Sequence, residues 1–276
     1  MRQVHGRTWA CHSNPSKPCI GAIEWQKNKG LLYNVEDINL LTEDSAWHLF
    51  TQNFYNKNEM SLEKQALSFL TPEMATNIHE RNRAKGFYEC SDEKYFFHHQ
   101  KLEMIKELAE ASEAEKKDLV VDVDVVINTH ADAAHTGELD IVFFEGAIKD
   151  TIQDEMADFV IRVMDYLGFL IKECKTVDDL LTRSSGRNPE GIFSDFTTQL
   201  EHKIGWPKSV ENPKGLNYET SSAILEIMDL VTANRLGQAM AYAVTFCEVR
   251  GFELIKHIEM KLAYNAQRKK LHGKAY

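Results

Sequence analysis

Two pairs of carboxylates occur at helical spacing in this sequence. Glu107 and Glu110 are three residues apart, and Glu155 and Asp158 repeat that spacing. Side chains three apart on an α-helix lie on one face, so two packed helices would bring four carboxylates together. Burial and mutual repulsion would force such a cluster to take up protons unless a cation compensates it. Because all-oxygen ligands favour Mg²⁺ over zinc, the pattern predicts a Mg²⁺ site, with Mn²⁺ as a substitute.

A single acidic pair on one helix is by itself more typical of a solvated surface. That interpretation suits the neighbouring Glu113 and Glu115. The two spaced pairs differ because each borders an apolar stripe of its helix. On the carboxylates alone, a metal site and a solvated acidic surface are about equally well supported.

A third group of polar residues lies near the end of the chain. Lys261, Asn265 and Arg268 are spaced i, i+4 and i+7, so they share one helix face. The apolar face of the same helix is built from Leu254, Ile255, Ile258 and Leu262. A metal bound by carboxylates opposite Lys, Asn and Arg suits a polyphosphate, because the metal bridges phosphate oxygens and the basic groups neutralise the rest. A merely solvated basic tail explains Lys269 and Lys270 well, but it explains the aligned Lys261, Asn265 and Arg268 less well.

Hydrophobic periodicity predicts the helices that must position these residues. Thr71 is a candidate N-cap, with Pro72 at the first helical position. For the helix at about 149–172 we expect a buried stripe of Met156, Phe159, Val160, Val163, Met164 and Leu167. For the helix from about 91 or 94 to 117 we expect a stripe of Leu102, Ile105, Leu108 and Ala109. The predicted helices span about 61–69, 72–84 (ending at Gly86), 91 or 94 to 117, 149–172, 220–236 (capped by Gly237), 238–250 (capped by Gly251) and 252–270.

The remaining segments show other patterns. Valines alternate with Asp122 and Asp124, and residues 139–144 are similarly strand-like, which predicts a β-hairpin-like insertion at about 119–147. The two segments could equally belong to a loop. Three turn clusters at about 175–218 predict a second insertion with at most short helices. Residues 1–70 form an irregular N-terminal extension of unknown role, so the main domain is predicted at 71–276.

The overall composition excludes several classes of protein. The 276 residues carry 42 Asp and Glu against 32 Lys and Arg, a net charge of −10, which argues against binding duplex nucleic acid or an anionic membrane surface. No apolar run approaches the roughly 18 residues of a membrane span, and residues 1–15 lack the apolar segment of a secretory signal. Five scattered cysteines without a CxxC pair are typical of reduced thiols. We therefore expect a cytoplasmic protein.

Five segments resemble one enzyme family. They occur in the family's order at 78–88 (IHERNRAKGFY), 106–113 (KELAEASE), 154–165 (DEMADFVIRVMD), 261–268 (KLAYNAQR) and 272–274 (HGK). In these segments the chain is similar to the MazG-like all-α nucleoside triphosphate pyrophosphohydrolases. With the helices that carry them, the segments cover about a third of the chain.

The resemblance implies an all-α helical bundle that assembles as a homodimer or homotetramer. It also implies a hydrolase that acts on the α–β phosphoanhydride, with Mg²⁺-dependent conversion of a (deoxy)nucleoside triphosphate to monophosphate and pyrophosphate and a role in nucleotide-pool control. Carried over by position, the metal ligands would be Glu107, Glu110, Glu155 and Asp158. The substrate-binding residues would be Lys261, Asn265, Arg268 and Lys274.

Two further expectations follow from the residues. The sequence holds no nucleophile motif, so a carboxylate must accept the proton of the attacking water, and we assign this role to Glu110 because of its central position in its helix. Phe87, Tyr88 and Trp206 could stack on a base, although core packing explains them as well. The rival hypothesis is a non-catalytic nucleotide- or partner-binding protein built on the same bundle.

Overall fold

The structure, a computed structural model, describes residues 61–88, 96–122, 144–176, 188–202 and 218–268. All of these residues belong to one compact unit, Val35–Tyr276. Of the described residues 82% are helical and none lies in a β-strand, which confirms the all-α prediction for this part of the chain. The α-helices, numbered in chain order, are α1 (Leu62–Phe69), α2 (Pro72–Ala84), α3 (Phe96–Lys116), α4 (Ile152–Glu173), α5 (Pro189–His202), α6 (Tyr218–Thr232), α7 (Leu236–Arg250) and α8 (Leu254–Gln267), with a π-helix at Phe144–Ile148.

The described helices are arranged around α4. Of its 22 residues 17 are buried, because α2, α3, α7 and α8 all pack against it. The predicted stripe is confirmed in full, since each member is 0% exposed: Met156, Phe159, Val160, Val163, Met164 and Leu167. Gly168 permits the close contact with α2, since a Cβ at this position would lie 2.1 Å from the Ala75 carbonyl oxygen. The helix that carries Glu155 and Asp158 is therefore held on several sides by other described helices.

The predicted ends of α2 are confirmed. Thr71 Oγ1 accepts a hydrogen bond from the Met74 N–H at 3.2 Å, and Pro72 is the first helical residue. Gly86 follows the helix with a φ of 87°, a conformation that glycine adopts without steric cost. The preceding helix, α1, begins after Ser61 as predicted and packs against α7 and α8. The bundle therefore includes residues from the segment assigned to the N-terminal extension.

The apolar stripe predicted for α3 is wrong. Leu102 is 62% exposed and Ala109 is exposed, and of the predicted set Leu108 is fully buried. The helix packs through a different stripe, whose members are all buried: Phe97, Met104, Leu108 and Ala111. Because α3 carries apolar residues on two faces, its periodicity does not reveal which face the other helices cover.

The prediction of at most short helices at about 175–218 is also wrong, because α5 spans 14 residues. Asn188 Oδ1 accepts a hydrogen bond from the Gly191 N–H at 2.9 Å, and Pro189 is the first helical residue. The Asn-Pro pair that was interpreted as part of a turn is thus an N-cap followed by the first helical residue. Helix α5 packs against α7.

Gly237 does not cap a helix as predicted. Helix α6 ends at Thr232, Asn234 adopts a left-handed φ of 60°, and Gly237 lies in the first turn of α7. A Cβ on Gly237 would lie 2.3 Å from the Ile192 carbonyl oxygen, so the glycine permits close contact between α5 and α7. The predicted cap at Gly251 is confirmed, with a φ of 70°.

Several sequence predictions fall on other parts of the chain. Residues 119–122 are neither helix nor strand, and Phe144 begins the π-helix. The rest of the predicted hairpin, residues 1–60, Trp206 and the tail after Arg268 lie outside the described residues. Within the described ranges, no helix combines the length and the apolar character that crossing a membrane requires.

Candidate metal and phosphate site

Three of the four spaced carboxylates converge between α3 and α4. Glu107 projects from α3, and Glu155 and Asp158 project from α4, with one oxygen of each within 4.8 Å of the others. Glu107 is 4% exposed and Glu155 is 6% exposed, whereas the side chain of Asp158 is 21% exposed. The structure therefore brings together the residues that an oxygen-ligated cation would need.

The start of α4 positions the acidic residues of this cluster. Thr151 caps the helix by accepting a hydrogen bond from the Asp154 N–H at 3.2 Å. The Asp150 N–H, in a residue with a left-handed φ of 64°, donates to Asp154 Oδ2 at 3.2 Å. Asp154 and Glu155 both lie in the first helical turn, where the partial positive charge of the helix N-terminus favours anions.

Burial makes these carboxylates hard to ionise. It raises the pKa of Glu155 from 4.5 to about 9, and the charges of Asp158 and Asp154 add to the effect. Burial also raises the pKa of Asp154 from 3.8 to about 7, although the charge of Lys261 opposes the shift. Burial raises the pKa of Glu107 as well, against the opposing charge of Arg162. Glu155 is therefore protonated at neutral pH unless a further cation compensates its charge.

Two basic side chains contact the cluster. Lys261 Nζ of α8 donates to the two carboxylate oxygens of Asp154 at 2.9 and 2.8 Å, and it pairs with Asp158 Oδ2 at 2.7 Å. Arg162 Nε, one turn after Asp158 on α4, donates to Glu107 Oε1 at 3.0 Å. Burial acts to lower both basic pKa values, but the neighbouring carboxylates outweigh it and raise the pKa of each above its ordinary value.

The charge balance of this cluster fits a divalent cation. Among the described residues, four carboxylates of the cluster face two basic groups: Glu107, Asp154, Glu155 and Asp158 against Arg162 and Lys261. Because Arg162 also pairs with Glu103 at 3.6 Å, at least two negative charges remain uncompensated when all of these groups are ionised. Such an excess is costly in a buried site. The three converging carboxylates offer only oxygen ligands, which suit Mg²⁺ or Mn²⁺ better than zinc.

The carboxylates line a cleft of about 360 Å³. Helices α2, α3, α4 and α8 contribute to its walls, together with the residues that follow the π-helix. Among the residues that the structure describes, five basic side chains line it as well: Lys106, Lys149, Arg162, Lys261 and Arg268. An acidic cluster beside several basic groups in one concavity can bind a cation and a multiply charged anion together.

Glu110 lies at the edge of this site. It lines the cleft, but it does not belong to the group of three carboxylates that lie within 4.8 Å of one another. Its side chain is 45% exposed and pairs with Lys106 at 3.6 Å, and its proximity contributes to the raised pKa of Glu107. Glu110 is thus near the cluster and accessible to water.

The residues of α8 differ from expectation in their burial. Lys261 was expected on a face away from the apolar stripe, yet it is 5% exposed because α8 turns this side chain onto the start of α4. Asn265 and Arg268 line the cleft. The Oδ1 atom of Asn265 is buried and has no hydrogen-bond partner among the described residues. Lys274 lies outside the described residues.

Sequence reasoning missed two members of the cluster. Asp154 adjoins Glu155 but does not share the three-residue spacing of the two pairs, so its pairing with Lys261 was not predicted. Arg162 lies between Ile161 and Val163 in an apolar run. The signal that could have found it is a single arginine within a run of buried apolar residues. Such a buried charge needs a partner of opposite charge.

Comparison of the chain with protein-family models, with curated proteins and with solved structures finds no match.

Proposed function

We propose that this protein hydrolyses a nucleoside triphosphate to the monophosphate and pyrophosphate in a reaction that depends on Mg²⁺. The observation that carries the proposal is the convergence of Glu107, Glu155 and Asp158 in a cleft that five basic side chains also line. Such a site offers separate groups for the metal and for the phosphates. The resemblance of five segments to MazG-like pyrophosphohydrolases supports the same activity.

The roles of the carboxylates follow from their burial. Glu107, Glu155 and Asp158 would hold the cation, because they converge and two of them, Glu107 and Glu155, are buried away from bulk water. A bound Mg²⁺ would polarise phosphate oxygens and make a nearby water molecule more acidic. Asp154 holds Lys261 through two contacts, so Lys261 keeps its place in the cleft when Asp158 serves as a ligand.

The basic residues would bind the phosphates. Lys261, Arg162 and Arg268 neutralise the negative charge of the substrate and of the pyrophosphate that leaves. Water attacks the α-phosphorus, the bond to the bridging oxygen between the α- and β-phosphates breaks, and the water gives up a proton. Glu110 accepts that proton, because it adjoins the cluster and is open to water.

The proposal is tested by measuring pyrophosphate release from a panel of ribo- and deoxynucleoside triphosphates with Mg²⁺ and with EDTA. Wild-type protein should release pyrophosphate only with Mg²⁺, and Glu155→Gln should be inactive. Glu113→Gln is the matched control, because Glu113 lies on α3, is 57% exposed and pairs with Lys116. Phosphate and a diphosphate as products, or full activity of Glu155→Gln, would overturn the assignment.

A second candidate, a non-catalytic binding protein, is favoured by one observation. Lys261 and Arg162 already pair with three of the carboxylates, as they would in a purely structural ion-pair network. On this hypothesis triphosphates bind without turnover and Mg²⁺ has no effect on stability. The same panel, combined with a binding measurement, distinguishes the two.

A further inference from the structure

A polar residue on α2 extends the cleft beyond the acidic cluster. Asn82 lines the cleft, and its Nδ2 donates to Asp165 Oδ2 at 2.7 Å. Because an ionised carboxylate only accepts hydrogen bonds, the group that faces Asp165 must be the amide nitrogen of Asn82. The amide oxygen, Oδ1, therefore points the other way. Oδ1 of Asn82 accepts no hydrogen bond from any described residue. The amide therefore has an oriented acceptor that a ligand can use.

An aromatic residue, Phe87, follows the end of α2 and lines the cleft together with Asn82. The Phe87 N–H donates to the Asn82 carbonyl oxygen at 3.2 Å, and Gly86 between them has a φ of 87°. This turn, which glycine makes without strain, folds the chain back after the helix. Phe87 consequently lines the same cleft as Asn82.

The order of groups along α4 gives the cleft a direction. Asp158 and Asp165 are seven residues apart, two helical turns or about 10 Å, and Arg162 lies between them. Passing along α4, a ligand would meet the metal-binding carboxylates, then a guanidinium, and then the Asn82 amide held by Asp165. A nucleoside triphosphate has the same order of chemistry, with charged phosphates at one end and a flat, hydrogen-bonding nucleoside at the other.

We propose that Asn82 and Phe87 form a nucleoside subsite, in which the ring of Phe87 stacks on the base and Asn82 Oδ1 accepts a hydrogen bond from the nucleoside. The inference rests on the proposed function and deepens it, because it names the residues that would recognise the nucleoside part of the triphosphate. Both residues act on affinity for the nucleoside and take no part in binding the metal.

The test compares two ligands by titration calorimetry in Mg²⁺: the α,β-methylene analogue of dATP, which resists cleavage, and tripolyphosphate, which has no nucleoside. Asn82→Ala should weaken analogue binding about fivefold or more, and Phe87→Ala about tenfold or more, while tripolyphosphate affinity stays within about twofold. Phe87→Tyr should retain analogue binding because it keeps the ring. Glu73→Ala, an exposed change in the first turn of α2, is the matched control.

Three results would overturn the proposed subsite, and they differ in what they say about the proposed function. Wild-type affinity for the analogue in both Asn82→Ala and Phe87→Ala would overturn the subsite. Equal losses for the analogue and for tripolyphosphate would overturn it too, because the residues would then act on the phosphate site or on the fold. If the wild-type protein binds neither ligand in Mg²⁺, the proposed function itself fails and the subsite fails with it.

Discussion

Glu155→Gln is expected to stabilise the metal-free protein at alkaline pH and to abolish its response to Mg²⁺. The pKa of Glu155 rises from 4.5 to about 9 on folding, whereas glutamine stays neutral. A carboxyl with a raised pKa binds more protons in the folded state, so its contribution to stability is complete below pH 4.5 and is lost as pH rises toward 9. One pKa unit corresponds to about 1.4 kcal/mol, so the rise from 4.5 to about 9 corresponds to about 6 kcal/mol of folding stability.

Urea unfolding between about pH 6.5 and 8 measures this effect. The free energy of unfolding of the wild type, relative to that of the variant, should fall by about 1.4 kcal/mol per pH unit in EDTA. Mg²⁺ at 100 times its dissociation constant should stabilise the wild type by about 2.7 kcal/mol and leave Glu155→Gln unchanged. Glu113→Gln should follow the wild type in both respects. A variant that is less stable than the wild type at pH 8, or that shows the same pH slope, would refute the reasoning.

Four further predictions concern helix packing, the buried ion pairs, the phosphate site and assembly. Gly237→Ala should lower the free energy of unfolding, measured in urea, by about 1–3 kcal/mol, because its Cβ would lie 2.3 Å from a backbone oxygen of α5. Gly146→Ala is the control: its Cβ would meet nothing within 4 Å, so it should lower the free energy of unfolding by less. Lys261→Met should cost about 3 kcal/mol in thermal unfolding, because it leaves buried carboxylates of α4 without their cation. Asn265→Ala should keep the melting temperature but weaken triphosphate binding about tenfold by calorimetry. We also expect a homo-oligomer, since α3 exposes apolar side chains, and sedimentation velocity showing a monomer at micromolar concentration would contradict this.

The sequence predicted a helix of the bundle well wherever its residues are compatible with only one kind of local structure. Thr71 followed by Pro72 can begin a helix but not continue one, so the start of α2 was readable. The stripe of α4 was readable because its apolar residues follow one unbroken helical period. The same logic failed at Asn188 and Pro189, because Asn-Pro suits a turn as well as a helix start.

Pairings between distant segments account for most of what the sequence did not predict. The spacing of Glu155 and Asp158 indicated one helix face, but nothing local indicated that Lys261 would be buried against that face. Gly237 has the signature of a helix cap, and only the position of α5 reveals that it is a packing contact. Leu102 and Leu108 likewise belong to one regular apolar stripe, yet the described helices bury Leu108 and leave Leu102 62% exposed.

The most direct test of the proposed activity is hydrolysis of a nucleoside triphosphate in ¹⁸O-labelled water, with the products resolved by mass spectrometry. Attack at the α-phosphorus and attack at the β-phosphorus both give monophosphate and pyrophosphate, so the position of the label distinguishes them. We predict Mg²⁺-dependent formation of both products, with ¹⁸O in the monophosphate. Label in pyrophosphate would contradict the mechanism, and formation of a diphosphate and phosphate, or no turnover with Mg²⁺, would contradict the function.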